Sequence, residues 1–328
     1  MIGVQGLGPW RVRAKPDPVP DLTGTSVMNT YDAKATAGLL PYAGLVEALE
    51  AAMPAYRDGA ILCPERQVMQ APSGAGVLLS MPCAGPDLLC HKLVTVYPDN
   101  PAQGLPAIHG QVTCGDARTG QLLFTLDGPV TTGRRTAAVT LVGIRRLLPH
   151  APRRILVIGT GAQADAHVQA LADTWPQAAV FVQGRSVARE RAVTERTGLP
   201  VGCVSAGDDP GDVDVVILVT TSHVPLYDLP AWPGRLIVGV GAFRPDMVEI
   251  GATTIGGSVL YVDDPVGAPV EAGDYIQAGV SWDQVRPLVD AIDGPPPPAE
   301  RPVVFKSVGC AAWDLAACRV ALRQMGAV

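Results

Sequence analysis

The chain has 328 residues, of which 48% are hydrophobic and 17% charged, and its formal net charge is −6. This length predicts roughly two domains with extensive buried cores. The acidic balance argues against a nucleic-acid partner, because neutralising phosphates requires a basic stripe that the sequence lacks. No run of about 18 apolar residues is present, so no membrane span is expected, and the first residues lack the layout of a secretory signal.

Seven cysteines are scattered along the chain, and no two have the C-x-x-C spacing of a zinc or redox site. Such thiols are typical of small buried hydrophobes in a reducing compartment, so we expect a cytoplasmic protein. His91 and His109 lack ligand spacing with cysteines or acids. No metal site is therefore predicted.

The first part of the chain predicts a helix and then a sheet. A helix is expected from about residue 41 into the fifties, closed by Gly59. From about 60 to 130, short apolar runs alternate with Gly-, Pro- and Asp-rich turns, which is typical of an antiparallel β region. Residues 134–148 then predict a helix with mixed apolar and basic faces.

A different pattern begins at Arg153. The run 155–158 is apolar without alternation, as in a strand buried on both faces of a parallel sheet, and a helical pattern follows it. Further apolar runs indicate a doubly wound α/β domain that ends near the proline run 295–298. The segment from Phe305 to Met325 predicts a turn and then a helix packed on the first domain. The further runs are Val180–Val182, Val215–Val219, Leu236–Val240 and Val259–Val262.

A glycine-rich loop, Gly159-Thr160-Gly161-Ala162-Gln163-Ala164, directly follows the first buried strand and opens the helix. In G-x-G-x-x-A, the first glycine permits a tight turn and the second lets the backbone approach a pyrophosphate. The small residue at the end lets the helix pack close to the strand, and the helix N-terminus stabilises the phosphate charge. The loop predicts a dinucleotide site that includes Gly159, Gly161, Ala162 and Gln163.

The end of the second strand indicates which nicotinamide cofactor binds. The sequence there is Gln183-Gly184-Arg185-Ser186, with Arg189 one turn later, and it lacks the carboxylate that binds a ribose 2′-hydroxyl. Two guanidinium groups are suited to a 2′-phosphate, so NADPH is predicted. The alternative is that these arginines are simply solvated and NADH is used as well. Thr220-Thr221-Ser222 follows another strand at the same edge and is assigned to the ribose or nicotinamide.

Several short stretches, in the same order, resemble the ornithine cyclodeaminase/mu-crystallin family. The resemblance implies an α/β fold in which a Rossmann doubly wound domain is inserted into a β-rich domain that binds substrate and forms a homodimer. We place the Rossmann domain at residues 133–304 and the β-rich domain at 1–132 and 305–328. The stretches are Pro64-Glu65-Arg66, His91-Lys92-Leu93-Val94, Arg135-Thr136-Ala137-Ala138, the loop 159–164, Gly241-Ala242-Phe243-Arg244-Pro245-Asp246 with Glu249 following, and Phe305-Lys306-Ser307-Val308-Gly309.

By this resemblance, Arg66, Lys92 and Arg135 match the family's basic residues that bind and orient a substrate carboxylate. The residues themselves are compatible with that role, since Lys92 lies in an apolar run where an unpaired ammonium is costly. We assign Met81, Phe243 and Gly309 to the substrate pocket, and Gly241, Phe243 and Ser307 to the cofactor side. Asp263 and Asp264, at the end of a strand, are interpreted as caps of the next turn.

Phe243 stands where the resembling cyclodeaminases have a catalytic Asp, and a phenyl ring cannot accept a proton. Family members with an apolar residue there resemble ketimine reductases. We therefore expect reduction of Δ1-pyrroline-2-carboxylate or Δ1-piperideine-2-carboxylate to L-proline or L-pipecolate, with Lys92 or a water as proton donor. The alternatives are an ornithine cyclodeaminase that uses Asp246, reductive amination of a short keto acid, and an NADPH-dependent small-ligand binder.

Overall fold

The computed structural model describes residues 28–204 and 212–326. The first residues, for which the sequence predicts no secretory signal, lie outside these ranges. No helix in these two ranges is long and apolar enough to cross a membrane. The strands are β1 (Asn29–Thr30), β2 (Gln67–Gln70), β3 (Val77–Ala84), β4 (Leu88–Val96), β5 (Ile108–Asp116), β6 (Leu122–Asp127), β7 (Arg154–Ile158), β8 (Ala179–Gln183), β9 (Gly202–Cys203), β10 (Val215–Leu218), β11 (His223–Tyr227), β12 (Leu236–Gly239), β13 (Val248–Ile250), β14 (Val259–Val262), β15 (Val285–Pro287) and β16 (Val303–Lys306). The α-helices are α1 (Ala33–Leu39), α2 (Tyr42–Arg57), α3 (Gly128–Leu147), α4 (Ala162–Thr174), α5 (Val187–Thr197), α6 (Ala252–Gly256), α7 (Ala268–Glu271), α8 (Gly273–Gln277), α9 (Val289–Asp293) and α10 (Ala311–Gln324).

The first half of the chain forms a six-stranded sheet in the order β1-β6-β5-β4-β3-β2. Neighbours from β2 to β6 are antiparallel, and β1 lies parallel to β6. The antiparallel region expected over about 60–130 is confirmed. In β4 the side chains alternate between buried and more exposed, so one face of the strand points into the core. The helices α2 and α10 pack together there, with α10 against β3 and β4.

Helix α3 begins at Gly128, six residues before the predicted start at 134. The reason is a cap: the side chain of Asp127 accepts a hydrogen bond of 2.8 Å from the backbone N–H of Val130, and Pro129 occupies the first turn. Asp-Gly-Pro is typical of a turn, so the sequence pattern hides this start. Most of α3 is buried, and it packs against α2, α4 and β5.

The second half forms an eight-stranded, fully parallel sheet in the order β15-β14-β16-β12-β10-β7-β8-β9. The order runs one way from β7 through β8 and the other way through β10, which is the doubly wound arrangement that the sequence predicts. Ligands of such sheets bind at the carboxyl ends of the strands where the order reverses. That edge carries the candidate site.

Residues 305 and 306 are not part of a turn, as the sequence analysis expects, but the second half of β16, which lies between β12 and β14; the turn before α10 is confined to residues 307–310. The interpretation is wrong because the strand is short, follows a proline run and ends in Lys306. That lysine is fully buried, and its charge is compensated by Asp274 at 2.7 Å. The helix after it, α10, packs on α2 and β4, as predicted.

Both predicted domain boundaries fall inside regular elements. The boundary at 132/133 lies in α3, and the boundary at 304/305 lies in β16. A single hydrophobic cluster contains residues of α2, α3, α10 and both large sheets, so the two cores are continuous. The periodicity of hydrophobic residues shows where the chain changes from helix to strand. It does not show where the chain passes from one domain core to the other.

Candidate active site

The glycine-rich loop has the backbone geometry that a dinucleotide site requires. Gly159 has a φ of +131°, and a Cβ there would lie 2.8 Å from the side chain of Val219. Its N–H donates to the carbonyl of Gln183 at 2.9 Å, which fixes the turn after β7. Only glycine is suited to this position.

Gly161 is the residue from which α4 begins, and a Cβ there would meet nothing within 4 Å. The loop therefore leaves open space in front of the helix N-terminus, where backbone N–H groups point outward. Behind it Ala164 is fully buried, which brings the helix close to the sheet. Gln163 holds a buried side-chain oxygen, Oε1, that has no hydrogen-bond partner within residues 28–204 and 212–326. These features fit a bound dinucleotide.

The segment after β8 presents positive charge without a competing carboxylate. Arg185, Ser186 and Arg189 are exposed, and no ion pair joins either arginine to another described residue. The nearby Glu190 is turned inward: it is 1% exposed and accepts a 2.9 Å hydrogen bond from the N–H of Gly184. The only carboxylate in this turn is thus used by the backbone, and both arginines remain available to a phosphate.

A buried carboxylate, Glu249 on β13, ties together the loops that follow β10 and β12. It accepts hydrogen bonds from the N–H and hydroxyl of Thr220 at 2.5 and 2.9 Å, and from the N–H groups of Gly241 and Ala242 at 2.7 and 3.0 Å. Burial raises the pKa of Glu249 above its ordinary value. The sequence places Thr220 and Gly241 at this edge, but it does not reveal the residue that holds them there.

Other residues assigned to this edge point in different directions. Ser222 donates its hydroxyl to the carbonyl of Val224 at 2.6 Å, and Thr221 is exposed. Ser307 is 2% exposed and donates its hydroxyl to Asp263 at 2.9 Å, so its side chain serves the fold.

Phe243 is half-buried at the end of β12, and no carboxylate takes the place of the missing Asp. Asp246 is 53% exposed and pairs with Arg244, with Nε–Oδ1 at 3.0 Å, and His223 lies beside it. Arg244 lowers the pKa of Asp246 below its ordinary value. Asp246 is therefore a surface ion-pair partner, and the cyclodeaminase alternative loses the residue on which it depends.

Two of the three predicted basic residues meet around one carboxylate. Lys92 on β4 and Arg135 on α3 are 3% and 5% exposed. Their Nζ and Nε atoms lie 3.3 and 3.2 Å from the two side-chain oxygens of Asp314, which is fully buried in the first turn of α10. Burial lowers the pKa of Lys92 to about 8, although the carboxylate of Asp314 acts in the opposite direction. One net positive charge remains in this cluster.

The third basic residue, Arg66, reaches the same place from the loop before β2. Its Nε lies 2.8 Å from the Glu271 carboxylate, and one Nη donates to the carbonyls of Val308 and Gly309 at 3.3 and 2.6 Å. Gly309 has a φ of +71°, and a Cβ there would lie 2.5 Å from Arg135. Arg66 and Arg135 therefore contact the same glycine, and the structure brings the three basic residues together.

The turn that joins them is held by Asp263. Its carboxylate accepts from the N–H groups of Val308 and Gly309 at 2.9 and 3.1 Å and from the indole of Trp313 at 3.1 Å. Asp263 also accepts from the N–H of Asp264 at 2.9 Å, so the prediction that it caps the next turn is confirmed in part, although its other partners lie in the loop after β16 and on α10. The same prediction is confirmed for Asp264, whose Oδ1 accepts from the N–H of Val266 at 3.0 Å.

A cavity of about 160 Å³ opens between the two sheets beside these residues. Arg66 and Met81 line it, as does Glu271, whereas Lys92 and Arg135 lie deeper. Burial raises the pKa of Glu271 to about 7 and that of Asp264 to about 6. The remaining lining residues are Tyr56, Cys63, Pro64, Glu65, Val68, Asp264, Val266, Gly267, Val270, Cys310 and Ala311.

Three acidic residues of the site, Asp314, Glu271 and Glu249, carry no assigned role in the sequence analysis. Asp314 offers a signal that could have found it: a single carboxylate in an apolar helix, comparable to Lys92 in its apolar strand. Glu271 lies in a turn-rich stretch and offers none. The described residues contain no group of three His, Cys, Asp or Glu side chains that could hold a metal ion.

The fold and the site define an α/β protein of the dinucleotide-binding class, in which three basic residues lie beside a small cavity at the carboxyl edge of the parallel sheet. Residues 28–325 match the ornithine cyclodeaminase/mu-crystallin family, and the chain belongs to this family. The Δ1-pyrroline-2-carboxylate/Δ1-piperideine-2-carboxylate reductase of Azospirillum brasilense is 49% identical over 311 residues, which are 93% of this chain and 99% of that protein.

More distant relatives carry related names. The ketimine reductase mu-crystallin of Mus musculus is 32% identical, over 84% of this chain and 90% of that protein. Among solved structures, the Δ1-pyrroline-2-carboxylate reductase of Thermococcus litoralis, in complex with NADH and L-proline, superposes with a TM-score of 0.82 at 23% identity. It covers 91% of this chain and 98% of that one, which confirms the α/β fold.

Proposed function

We propose that this protein reduces a cyclic imino acid, Δ1-pyrroline-2-carboxylate or Δ1-piperideine-2-carboxylate, to L-proline or L-pipecolate with a reduced nicotinamide cofactor. The observation that carries the proposal is the convergence of Arg66, Lys92 and Arg135 beside a small cavity at the cofactor edge of the sheet. Two relatives that are 49% and 48% identical to this chain are named as reductases of one or both of these cyclic imino acids, which supports the same substrate class.

The cavity residues bind and orient a small anionic ring. Arg66 is fixed by three contacts, and its second Nη has no hydrogen bond to any residue that the structure describes, so it is available to a substrate carboxylate. The net positive charge of the Lys92–Arg135–Asp314 cluster, which lies deeper than the cavity, also attracts the substrate carboxylate. Met81 supplies an apolar wall of the cavity, whereas Phe243 is half-buried and does not line it, so we keep Phe243 on the cofactor side.

When bound, the reduced nicotinamide supplies a hydride to the carbon of the C=N bond. The protein contributes orientation and a dry site, which are its main tasks when the cofactor carries the chemistry. Phe243 cannot move protons to or from a substrate amine, so the proposed reaction begins from the imine and not from a diamine.

We propose NADPH as the preferred cofactor, because Arg185 and Arg189 are exposed while Glu190 is engaged with the backbone. A homodimer and a cytoplasmic location are proposed as well. Exposed apolar side chains on the six-stranded sheet, Val68, Met69, Ile108 and Leu122, support the homodimer, which light scattering in solution would test.

The decisive test is oxidation of NADPH and of NADH with each of the two cyclic imines. Fast oxidation with either imine is the expected result, and the ratio of kcat/KM between the cofactors tests the assignment of Arg185 and Arg189. Release of ammonia from L-ornithine with NAD, without imine reduction, would overturn the proposal in favour of cyclodeamination. Tight NADPH binding without turnover would identify a binding protein.

A further inference from the structure

The reduction of a neutral imine requires a proton at nitrogen, and the residues assigned so far do not supply one. Lys92 is 3% exposed, does not line the cavity, and directs its Nζ to Asp314. Phe243 has no proton to give. A donor must have a titratable atom at the cavity wall.

Glu271 lines the cavity, and its side chain is 17% exposed. One carboxylate oxygen, Oε1, lies 2.8 Å from Nε of Arg66, while the other, Oε2, is buried and without a hydrogen-bond partner in the described residues. An unpartnered buried oxygen is costly, and a protonated carboxyl or a ligand N–H relieves that cost. We propose that Glu271 is the acid that gives its proton to the imine nitrogen of the substrate. This inference rests on the proposed imine reduction.

The hydride, with its electron pair, forms a C–H bond at the imine carbon, and the C=N π pair moves to nitrogen. The nitrogen takes the proton from the Glu271 carboxyl, so an N–H bond forms as the O–H bond breaks. The resulting carboxylate lies against Arg66, which stabilises its charge, and solvent returns the proton after the amine leaves.

The groups that face Glu271 decide its protonation. Burial raises its pKa to about 7, Arg66 acts in the opposite direction, and Asp264, Asp263 and Glu65 add to the increase. Tyr56, Cys63 and Cys310 are the other titratable groups around the cavity. Because Glu271 donates only when protonated, kcat/KM should fall as the pH rises through about 7.

Asp264 is the competing carboxyl on the same wall. Its Oδ1 already accepts from the hydroxyl of Tyr56 at 3.1 Å and from the N–H of Val266 at 3.0 Å. Donors at a carboxylate favour its ionised form and occupy the oxygen that would carry the proton. Glu271 has one ion-pair partner and a free oxygen, so the geometry favours it.

The test is the variant Glu271→Gln, whose amide can still accept from Arg66. We expect kcat for the imine to fall by about a hundredfold or more, within the range for loss of a general acid. KM should change little, and the decline of kcat/KM above about pH 7 should disappear. The matched control is Glu50→Gln, because the Glu50 side chain is 16% exposed against 17% for Glu271. It disrupts a 3.0 Å pair with Arg146 away from the cavity and should keep wild-type kinetics.

Each outcome has a distinct meaning. An active wild type with an equally active Glu271→Gln variant and an unchanged pH profile overturns this inference and leaves the proposed function intact. Loss of the pH dependence only in Asp264→Asn assigns the proton to Asp264 and overturns it too. A wild type inactive towards both imines refutes the proposed function itself. If the variant does not fold, infrared titration of the wild type decides, because a protonated carboxyl band that persists to about pH 7 must change when a cyclic imine binds in the cavity. Glu249, whose pKa is also raised, does not line the cavity and should not respond, so an unchanged band overturns the inference.

Discussion

Replacing Asp314 by Asn tests whether the buried cluster is held by charge. The asparagine has the same size as Asp314, but Lys92 and Arg135 would lose the carboxylate that compensates their two buried positive charges. Removing one partner of a buried ion pair costs about 3–5 kcal/mol, because it leaves an uncompensated charge. The asparagine carbonyl can retain one hydrogen bond, so we expect a loss near the lower end, about 3 kcal/mol in the free energy of unfolding.

The assay is urea denaturation followed by the fluorescence of the five tryptophans, of which Trp313 lies beside Asp314 and is 1% exposed. The matched control is Asp87→Asn, which disrupts an ion pair of 2.6 Å between Asp87 and Arg319. Arg319 lies on α10, as Asp314 does, but both side chains of this pair are more than 20% exposed. Pairs that water can reach contribute about 1 kcal/mol or less. Equal losses in the two variants would refute the reasoning.

Three further outcomes follow from the site. Gly309→Ala should lose more stability than Gly279→Ala in urea denaturation and should raise KM for the imine. Both glycines have a positive φ, but only at position 309 would a Cβ lie 2.5 Å from Arg135. Equal losses of stability in the two variants would contradict the contact with Arg135. Arg185→Glu should lower kcat/KM with NADPH by at least tenfold and leave NADH nearly unaffected; a parallel loss with both would reject the 2′-phosphate assignment. Burial lowers the pKa of Lys92 from 10.5 to about 8, so the unfolded chain holds this proton more tightly than the folded one. Between pH 8 and 10.5, the free energy of unfolding of the wild type should therefore rise relative to that of Lys92→Met. A difference that stays constant with pH would argue against the lowered pKa.

The sequence predicts local features of the site better than the contacts that complete it. The loop at Gly159 and the charge of Lys92 can both be interpreted from their immediate neighbours. Asp314 cannot be linked to Lys92 in the same way, because β4, α3 and α10 meet only in the folded core. Glu249 likewise lies on β13, in a separate two-stranded sheet with β11, and it meets Thr220 and Gly241 only in the folded chain.

The errors in the fold have the same origin. Asp127-Gly-Pro satisfies a turn pattern, yet the Asp127 side chain caps a helix. The run 303–306 is too short and too polar at its end to indicate a central strand, and Lys306 is tolerated there only because Asp274 lies 2.7 Å away. In both cases a partner supplied by tertiary structure overrides the local signal.

The position of β16 also constrains the order in which the chain can acquire its structure during synthesis. Two groups of strands of the eight-stranded sheet, β7 to β10 with β12 and β14 with β15, emerge from the ribosome first, and β16 then joins β12 to β14. Until residues 303–306 arrive, each group presents an open edge of unpaired backbone groups, which is prone to pairing with other chains. A nascent chain of this protein that stalls before residue 303 should therefore depend on chaperones, although its cofactor loop is already complete.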